Sequence, residues 1–207
     1  GSRITYMMGG ALLDGLSKLK EAMAETGAKT GPELEAAGKP VRYLGNKKNQ
    51  EQGALDPETG QGPSFESQVH AVQMIEVEVD SETGNVKVLK VTTAVDAGPV
   101  INPNDLTGQL EGGADMGIGL ALREKYVAGE TKDWRTFKFP TVAMACDQEV
   151  IIQETPRPKG PMGCTGVGEM CLVPTAPAVI NAIKNATGSF ITDLPATPDK
   201  VLAALTK

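Results

Sequence analysis

A helical pattern that contains five glycines restricts how this chain can fold more than any other feature. Apolar residues recur at helical spacing across residues 105–122, at Leu106, Leu110, Ala114, Ile118 and Leu122. Glycines interrupt the same stretch at Gly108, Gly112, Gly113, Gly117 and Gly119. Each glycine inside a helix costs about 1 kcal/mol relative to alanine, so intrinsic propensity cannot explain five of them. Either another helix packs closely here, or a ligand approaches the backbone.

Gln109, near the start of this pattern, has two interpretations. Its side-chain amide offers two donors and an acceptor, which makes it a candidate ligand contact. It could equally be a polar residue beside a helix–helix seam. The residues around it do not discriminate between these alternatives.

A β-hairpin is predicted before the glycine-containing helix. Residues 69–79 alternate in polarity, residues 80–85 form a turn, and residues 86–95 are a second β-rich run, so the two runs should pair antiparallel. Further strands are predicted at residues 124–127, 136–139 and 142–153. Helices are predicted at residues 4–26, 175–186 and 199–206, with Thr175 as a candidate N-cap and Pro198 in the first turn of the last helix.

These elements predict an α+β fold in which a mixed sheet and hairpins pack against helices. Residues 27–62 are polar and rich in glycine and proline, which indicates a long surface excursion with one short element near residues 40–44. We therefore divide the chain into residues 1–62, an N-terminal helix with its excursion, and residues 63–207, the main α+β unit. Both parts belong to one region.

Charge and composition exclude several classes of function. The net charge of −6 and the aromatic content of 4% disfavour binding to nucleic acid or to an anionic membrane surface. An odd number of cysteines, three, favours reduced thiols and a cytoplasmic location. His70 is the only histidine, and neither it nor the cysteines show the spacing of a metal site.

The most chemically suggestive loop spans residues 163–174. Glu169 follows Gly166 and Gly168, and an apolar segment closed by Pro174 lies behind it. Glycine allows backbone to come close to a bound group. A carboxylate held against apolar residues can acquire the raised pKa of a general base. An ordinary turn with the glutamate in water has the same local pattern, so the loop alone leaves both readings open.

Four stretches, taken in order, carry a family resemblance. They are Gly-Ser-Arg at 1–3 with Met-Gly-Gly-Ala at 8–11, Asp-Ala-Gly-Pro-Val-Ile-Asn-Pro at 96–103 with Gly-Gln-Leu-Glu-Gly-Gly at 108–113, Phe-Pro at 139–140, and Gly-Val-Gly-Glu at 166–169 with Pro-Thr-Ala-Pro-Ala at 174–178 and Ala-Ile at 182–183. The chain resembles the molybdenum hydroxylases, the family of xanthine dehydrogenases and aldehyde oxidoreductases. It resembles the C-terminal part of their molybdopterin-binding region, most of all in bacterial aldehyde oxidoreductases.

The resemblance implies a set of roles. Glu169 would be the catalytic base that takes a proton from a molybdenum-bound hydroxide as its oxygen attacks the aldehyde carbon, with hydride passing to a sulfido ligand and a carboxylic acid as product. The pterin dithiolene and phosphate would be held by Ser2, Arg3, Gln109, Thr165, Gly166, Val167 and Gly168. No residue of this chain would bind the metal directly.

The resemblance also implies a larger assembly. The cofactor would be molybdopterin, as the cytosine dinucleotide, with 2Fe–2S clusters in a portion outside this chain. The partners would be that portion, with the iron–sulfur domains and the first half of the molybdenum region, and an aldehyde, in a homodimer. The chain is expected to be a fragment, a proteolytic piece or one chain of a split enzyme, inactive alone. Two alternatives remain: a purine or N-heterocycle hydroxylase of the same family, and a non-catalytic structural module.

Overall fold

A three-stranded mixed sheet lies at the centre of the computed structural model, which describes residues 2–48, 53–63 and 65–206. The strand β1 (His70–Val79) pairs antiparallel with β2 (Val86–Asp96), which confirms the predicted hairpin. The strand β3 (Asp147–Gln153) lies along the other edge of β2 and runs parallel to it. The predicted α+β class is confirmed.

Two helices cover one face of this sheet and form the main core with it. They are α3 (Pro103–Leu122) and α5 (Thr175–Thr187), which contact each other as well as the strands. A last helix, α6 (Pro198–Leu205), packs on α5 and has Pro198 in its first turn, as predicted. The fully buried centre of this core includes Val91, Ala114, Ala121, Val179, Ile183 and Val201. Burial of these apolar side chains is the dominant stabilising contribution.

A smaller apolar cluster extends the core towards one end of the sheet. Its buried members are Val95, Ala97, Leu106, Leu110 and Cys171. They come from the end of β2, the first half of α3 and the loop before α5. Val167 and Met170 of that loop also pack against the cluster. The cluster therefore fixes the loop that contains the Gly-Val-Gly-Glu sequence relative to α3.

The start of α3 is defined by its sequence. The Asn102 side chain accepts hydrogen bonds from the backbone N–H groups of Asn104 (3.1 Å) and Asp105 (3.4 Å). Pro103 occupies the first turn, where its missing N–H costs nothing. The helix predicted at residues 105–122 is confirmed, with two more residues at its N-terminus.

Close packing explains three of the five glycines in α3. A Cβ atom on Gly113 would overlap Cys171, one on Gly117 would overlap Thr175, and one on Gly119 would overlap Pro140 and Glu124. A Cβ on Gly108 or on Gly112 would meet nothing within 4 Å. The neighbours at Gly113 and Gly117 are the loop before α5 and the first residue of α5. Approach of a ligand to the backbone is therefore not the cause at Gly113, Gly117 and Gly119.

The N-terminal helix has the predicted extent. A π-helical turn at Ile4–Met8 continues into α1 (Gly9–Thr26), which ends at Gly27 with φ of 73°. The short element of the following excursion was placed wrongly near residues 40–44. It is the helix α2 (Gly31–Ala36), which Thr30 caps and which buries Leu34 completely. The cap and the proline at its start were the local signals for this position.

The two short strands predicted at residues 124–127 and 136–139 are wrong. Asp133 accepts a hydrogen bond from the backbone N–H of Thr136 (2.8 Å), and the Thr136 hydroxyl accepts one from the N–H of Asp133 (3.0 Å). This reciprocal cap begins a short helix, α4 (Trp134–Phe137), instead of a strand. The local cap outweighs the β propensity of the threonine and phenylalanine side chains.

Two further boundaries also differ from the predictions. The strand predicted at residues 142–153 is shorter, because Val142–Met144 is a 3-10 turn and only β3 is extended. Thr175 is the first residue of α5 and does not cap it; the N-cap is Pro174. The Thr175 hydroxyl is engaged elsewhere, in hydrogen bonds to a side chain of β1 and to the preceding loop.

Among the described residues, no helix is long and apolar enough to cross a membrane.

Candidate functional site

A cavity of about 410 Å³ lies where the N-terminal turn, the loop before α3 and the loop before α5 meet. Its walls are Ser2, Ile4 and Thr5 from the N-terminus, residues 97–102 with Asp105, Leu106 and Gln109 from the start of α3, and residues 164–168 from the last loop. This volume falls within the range of about 300–1,000 Å³ that is typical of small-molecule sites.

Asp96 anchors the first of these loops at the end of β2. Its carboxylate accepts hydrogen bonds from the N–H groups of Thr155 (3.1 Å) and Gly98 (3.4 Å). The Arg157 guanidinium lies 3.3 Å from the carboxylate and donates to the Asp96 carbonyl (2.6 Å). Partial burial opposes ionisation, but the hydrogen bonds from Thr155 and Gly98 and the Arg157 charge outweigh it and lower the pKa of Asp96. The Asp96 carboxylate is therefore charged at neutral pH, and it holds the loop in this form.

Two glycines allow this loop and the segment before Cys164 to meet. Gly98 has φ of 76° and Gly163 has φ of 81°, a region that side chains rarely adopt. A Cβ on Gly98 would strike the Gly163 carbonyl oxygen, and that same carbonyl accepts a hydrogen bond from the N–H of Arg157 (2.9 Å). The cavity wall is therefore made of closely packed backbone.

Gly166 and Gly168 allow close approach of the N-terminal segment. A Cβ on Gly166 would strike the Ser2 carbonyl oxygen, and one on Gly168 would lie 2.8 Å from the Ser2 Oγ. The sequence indicated that these glycines admit a bound group. The residue that approaches them most closely is Ser2, so their first role is to let the N-terminal segment pack against this loop at the cavity.

The Gln109 amide contacts the loop before α5 and also lines the cavity. Its Nε2 donates a hydrogen bond to the Gly168 carbonyl (2.8 Å) and lies 3.9 Å from the Cys171 Sγ. Gln109 also lines the cavity and is exposed. Within the part of the chain that the structure describes, its Oε1 accepts no hydrogen bond. The amide nitrogen therefore holds the loop, and the oxygen is free to bind a ligand.

Six of the seven predicted cofactor-binding residues line this one cavity: Ser2, Gln109, Thr165, Gly166, Val167 and Gly168. Arg3 instead lines an adjacent cavity of about 250 Å³, which shares Ser2, Thr165 and Gly166 with the first. The structure thus brings the two ends of the chain and the start of α3 together. Residues 97–102 and Asp105 also line the cavity; the stretch 96–103 contributed to the family resemblance but was not assigned to cofactor binding.

Tyr6 forms part of the wall of the adjacent cavity. Its hydroxyl donates a hydrogen bond to the Glu66 carboxylate (3.0 Å). Burial, together with this hydrogen bond and the Glu66 charge, raises the pKa of Tyr6 to about 12. The Lys47 ammonium lies 4.9 Å from the ring centroid, a distance at which a cation is attracted to the ring face. Tyr6 therefore stays neutral and fixes the first turn beside Arg3.

Glu169 directly follows the cavity wall but is exposed and is not one of the lining residues. The sequence suggested a carboxylate held against apolar residues. The side chain is exposed, and no apolar pocket formed by the described residues encloses it. Any desolvation of Glu169 has to come from a group outside the described residues.

The lining of the cavity combines apolar side chains, such as Ile4, Val100 and Leu106, with polar ones. The polar lining residues include Ser2, Gln109 and Thr165, and Arg3 lines the cavity beside it. Across residues 2–48, 53–63 and 65–206, no group of three or more His, Cys, Asp or Glu side chains could hold a metal ion. All three cysteines are free thiols.

Comparison with known proteins identifies the class. The family model of the molybdopterin cofactor-binding domain matches residues 1–145. The chain belongs to the molybdenum hydroxylase family, as part of a molybdopterin cofactor-binding domain.

The relatives include both aldehyde and heterocycle enzymes. The aldehyde oxidoreductase of Megalodesulfovibrio gigas is 39% identical over 211 residues, which is 99% of this chain and 23% of that protein. The nicotine 6-hydroxylase large subunit of Paenarthrobacter nicotinovorans is 38% identical over 150 residues, 69% of this chain and 18% of that subunit. The solved structure of the aldehyde oxidoreductase from Desulfovibrio gigas matches with a TM-score of 0.94 and 37% identity, covering 100% of this chain and 23% of that one. The chain thus spans less than a quarter of the length of these relatives.

Proposed function

We propose that this chain is part of a molybdenum-dependent aldehyde oxidoreductase that converts aldehydes to carboxylic acids. The observation that carries the proposal is the cavity in which Ser2, Gln109 and residues 165–168 meet, directly before Glu169. The similarity to aldehyde oxidoreductases over the whole chain supports the aldehyde as substrate.

Different side chains at the cavity would bind different parts of the cofactor. Ser2 and Thr165 would offer hydroxyls to the pterin, the Gln109 oxygen would accept a hydrogen bond from it, and Arg3 would pair with its phosphate. The nucleotide on the pterin is the cytosine form in this proposal. When bound, the molybdenum cofactor supplies the two-electron oxidation and the water-derived oxygen.

Glu169 would act as the general base. Its carboxylate would take and hold the proton of the oxygen nucleophile as that oxygen attacks the aldehyde carbon. A base with a pKa near the working pH serves best, and covering a carboxylate raises its pKa. Because Glu169 is exposed here, the rest of the enzyme would provide that cover.

An apolar stripe on the N-terminal helix supports the remainder of the enzyme as partner. Ile4, Met8 and Leu12 are 79%, 65% and 64% exposed and lie four residues apart on one face. None of these three side chains belongs to either buried cluster. A long helix with an uncovered apolar face gains most of its stability from packing against a partner.

The chain alone should therefore bind a hydrophobic dye and self-associate. Replacing Met8 and Leu12 together with serine should lower dye binding at least twofold, because it removes two of the three apolar side chains of the stripe. The matched control is Lys20→Ser, which changes an exposed polar residue of the same helix. Dye fluorescence and sedimentation measure the effect. A monomeric chain with a cooperative melt and no dye binding would contradict the partner proposal.

The second candidate is hydroxylation of a purine or another N-heterocycle. The similarity to a nicotine 6-hydroxylase subunit, at 38% identity, is the observation that favours it. The proposed base and cofactor cavity are the same for both reactions. The substrate alone distinguishes them.

The test of the function uses the assembled enzyme, which in this proposal is a cytoplasmic homodimer with 2Fe–2S clusters outside this chain. Its molybdenum content is measured by inductively coupled plasma spectrometry, and dye reduction is followed with a panel of aldehydes, purines and pyridine heterocycles. We expect bound molybdenum and turnover with aldehydes. Turnover with heterocycles alone would favour the second candidate, and protein without molybdenum would reject both.

A further inference from the structure

A buried chain of hydrogen bonds connects the sheet to the loop that carries Glu169. The Gln73 Nε2 donates to the Thr93 Oγ1 (3.0 Å) and to the Cys171 carbonyl (3.2 Å). The Thr175 hydroxyl lies within hydrogen-bonding distance of the Gln73 Oε1 (2.7 Å) and of the Cys171 carbonyl (3.3 Å). One side chain of β1 is thereby bonded to β2, to the loop and to the start of α5.

These polar side chains occupy positions where apolar residues would be expected. Gln73 and Thr93 are directly opposite each other in the register of β1 and β2, on the sheet face that packs against the helices. Their neighbours on that face include Ile75, Val91 and Val95, which are all buried. A polar pair in such a face costs free energy on burial unless its groups are hydrogen-bonded, which these are.

The burial of the network makes each partner necessary. Thr93, Cys171 and Thr175 are 2%, 1% and 0% exposed. The Gln73 amide uses both of its protons and its oxygen, and the Cys171 carbonyl can only accept, so the orientation of the amide is determined. Gln73 itself is half-buried, and removing it would leave the buried Thr93 and Thr175 hydroxyls with fewer partners.

The network extends through Cys171 to the loop that carries Glu169. The Cys171 thiol donates to the Gly168 carbonyl (3.3 Å), and Gln109 donates to the same oxygen (2.8 Å). Gly168 is the residue immediately before Glu169. Two donors from different segments therefore fix the peptide plane from which the glutamate extends.

We propose that Gln73 and Thr175 are positioning residues for Glu169. They hold the backbone of Cys171, whose thiol in turn holds the Gly168 carbonyl, and this fixes the direction in which the Glu169 carboxylate points. The inference rests on the proposed function, because it requires Glu169 to be the base. Small displacements of a catalytic group reduce turnover strongly, by up to about 100-fold for roughly 1 Å.

The assembled, molybdenum-loaded enzyme tests this proposal with the pair Thr175→Val and Thr175→Ser. Valine keeps the shape and removes the hydroxyl, whereas serine keeps the hydroxyl. We expect Thr175→Val to lower kcat per molybdenum by about 10-fold, with KM nearly unchanged and a displaced pH profile. Thr175→Ser should recover most of the loss. Unchanged kcat and pH profile in Thr175→Val would overturn the proposal.

A second pair keeps the test decisive if Thr175→Val does not assemble. Cys171→Ala removes the thiol that donates to Gly168, and Cys171→Ser restores a donor; kcat should fall in the first and recover in the second. Failure of both Thr175→Val and Cys171→Ala to assemble, with normal serine variants, would assign the network to folding and overturn its positioning role. Glu169→Gln separates the two proposals: if it retains turnover, the base assignment fails, and if it is inactive while Thr175→Val is normal, only the positioning role fails.

Discussion

Glu169→Gln in the assembled enzyme should lower kcat by about 10²–10⁴-fold, the usual contribution of a general base. Glutamine has nearly the same shape but cannot hold a proton at neutral pH. The Glu169 side chain is exposed and forms no hydrogen bond within the part of the chain that the structure describes. The substitution therefore removes no contact of the fold, and the loss of turnover should not be accompanied by loss of stability.

Molybdenum content and the thermal midpoint of unfolding are measured together with kcat, to separate a loss of turnover from a loss of cofactor or of stability. Both should match the unmodified enzyme. Glu130→Gln is the matched control, since it makes the same chemical change at an exposed glutamate that does not line the cavity. Near-normal turnover of Glu169→Gln with bound molybdenum would remove Glu169 from the mechanism.

Gly117→Ala should lower the free energy of opening of α3 by about 1–3 kcal/mol, because a new methyl group must enter a filled core. The methyl would overlap the Cβ of Thr175 and lie 2.8 Å from its Oγ1. Thr175 is completely buried and cannot move aside. Gly113→Ala should act in the same direction, because its Cβ would lie 2.6 Å from the Cys171 Cβ and closer still to the sulfur.

Hydrogen exchange of the α3 backbone amides measures this effect directly. Gly112→Ala is the control on the same helix, since a Cβ there meets nothing within 4 Å. Alanine should stabilise the helix at that position by up to about 1 kcal/mol. Equal exchange rates in Gly117→Ala and Gly112→Ala would mean that α3 and α5 are not packed as described.

The sequence predicted most clearly the elements whose signals are local. The alternation of residues 69–79 and the turn after it specified the hairpin, and the spacing of Leu106, Leu110 and Ala114 specified α3. The parallel pairing of β3 with β2 could not be predicted, because it depends on a crossover between distant segments. The wrong strand at residues 136–139 shows the converse case, in which the hydrogen bonds of Asp133 and Thr136 outweighed a β-rich composition.

The sequence indicated several residues that line the candidate site, but not how these residues pack against one another. The resemblance to the molybdenum hydroxylases supplied Ser2, Gln109 and residues 165–168, and the structure places them around one cavity. No local pattern shows that Gly166 and Gly168 make room for Ser2, since Ser2 is far from both glycines in the sequence. The assignment of Glu169 stays a prediction.

The contact between Ser2 and Gly166 also has a consequence for biosynthesis. Ser2, in one wall of the cavity, is synthesised before Gly166 in the opposite wall, and more than 150 residues separate the two. Closing so long a loop costs more conformational entropy than closing a short one. A group held between the two walls can therefore bind only after the segments that contain Ser2 and Gly166 have both been synthesised and have come together.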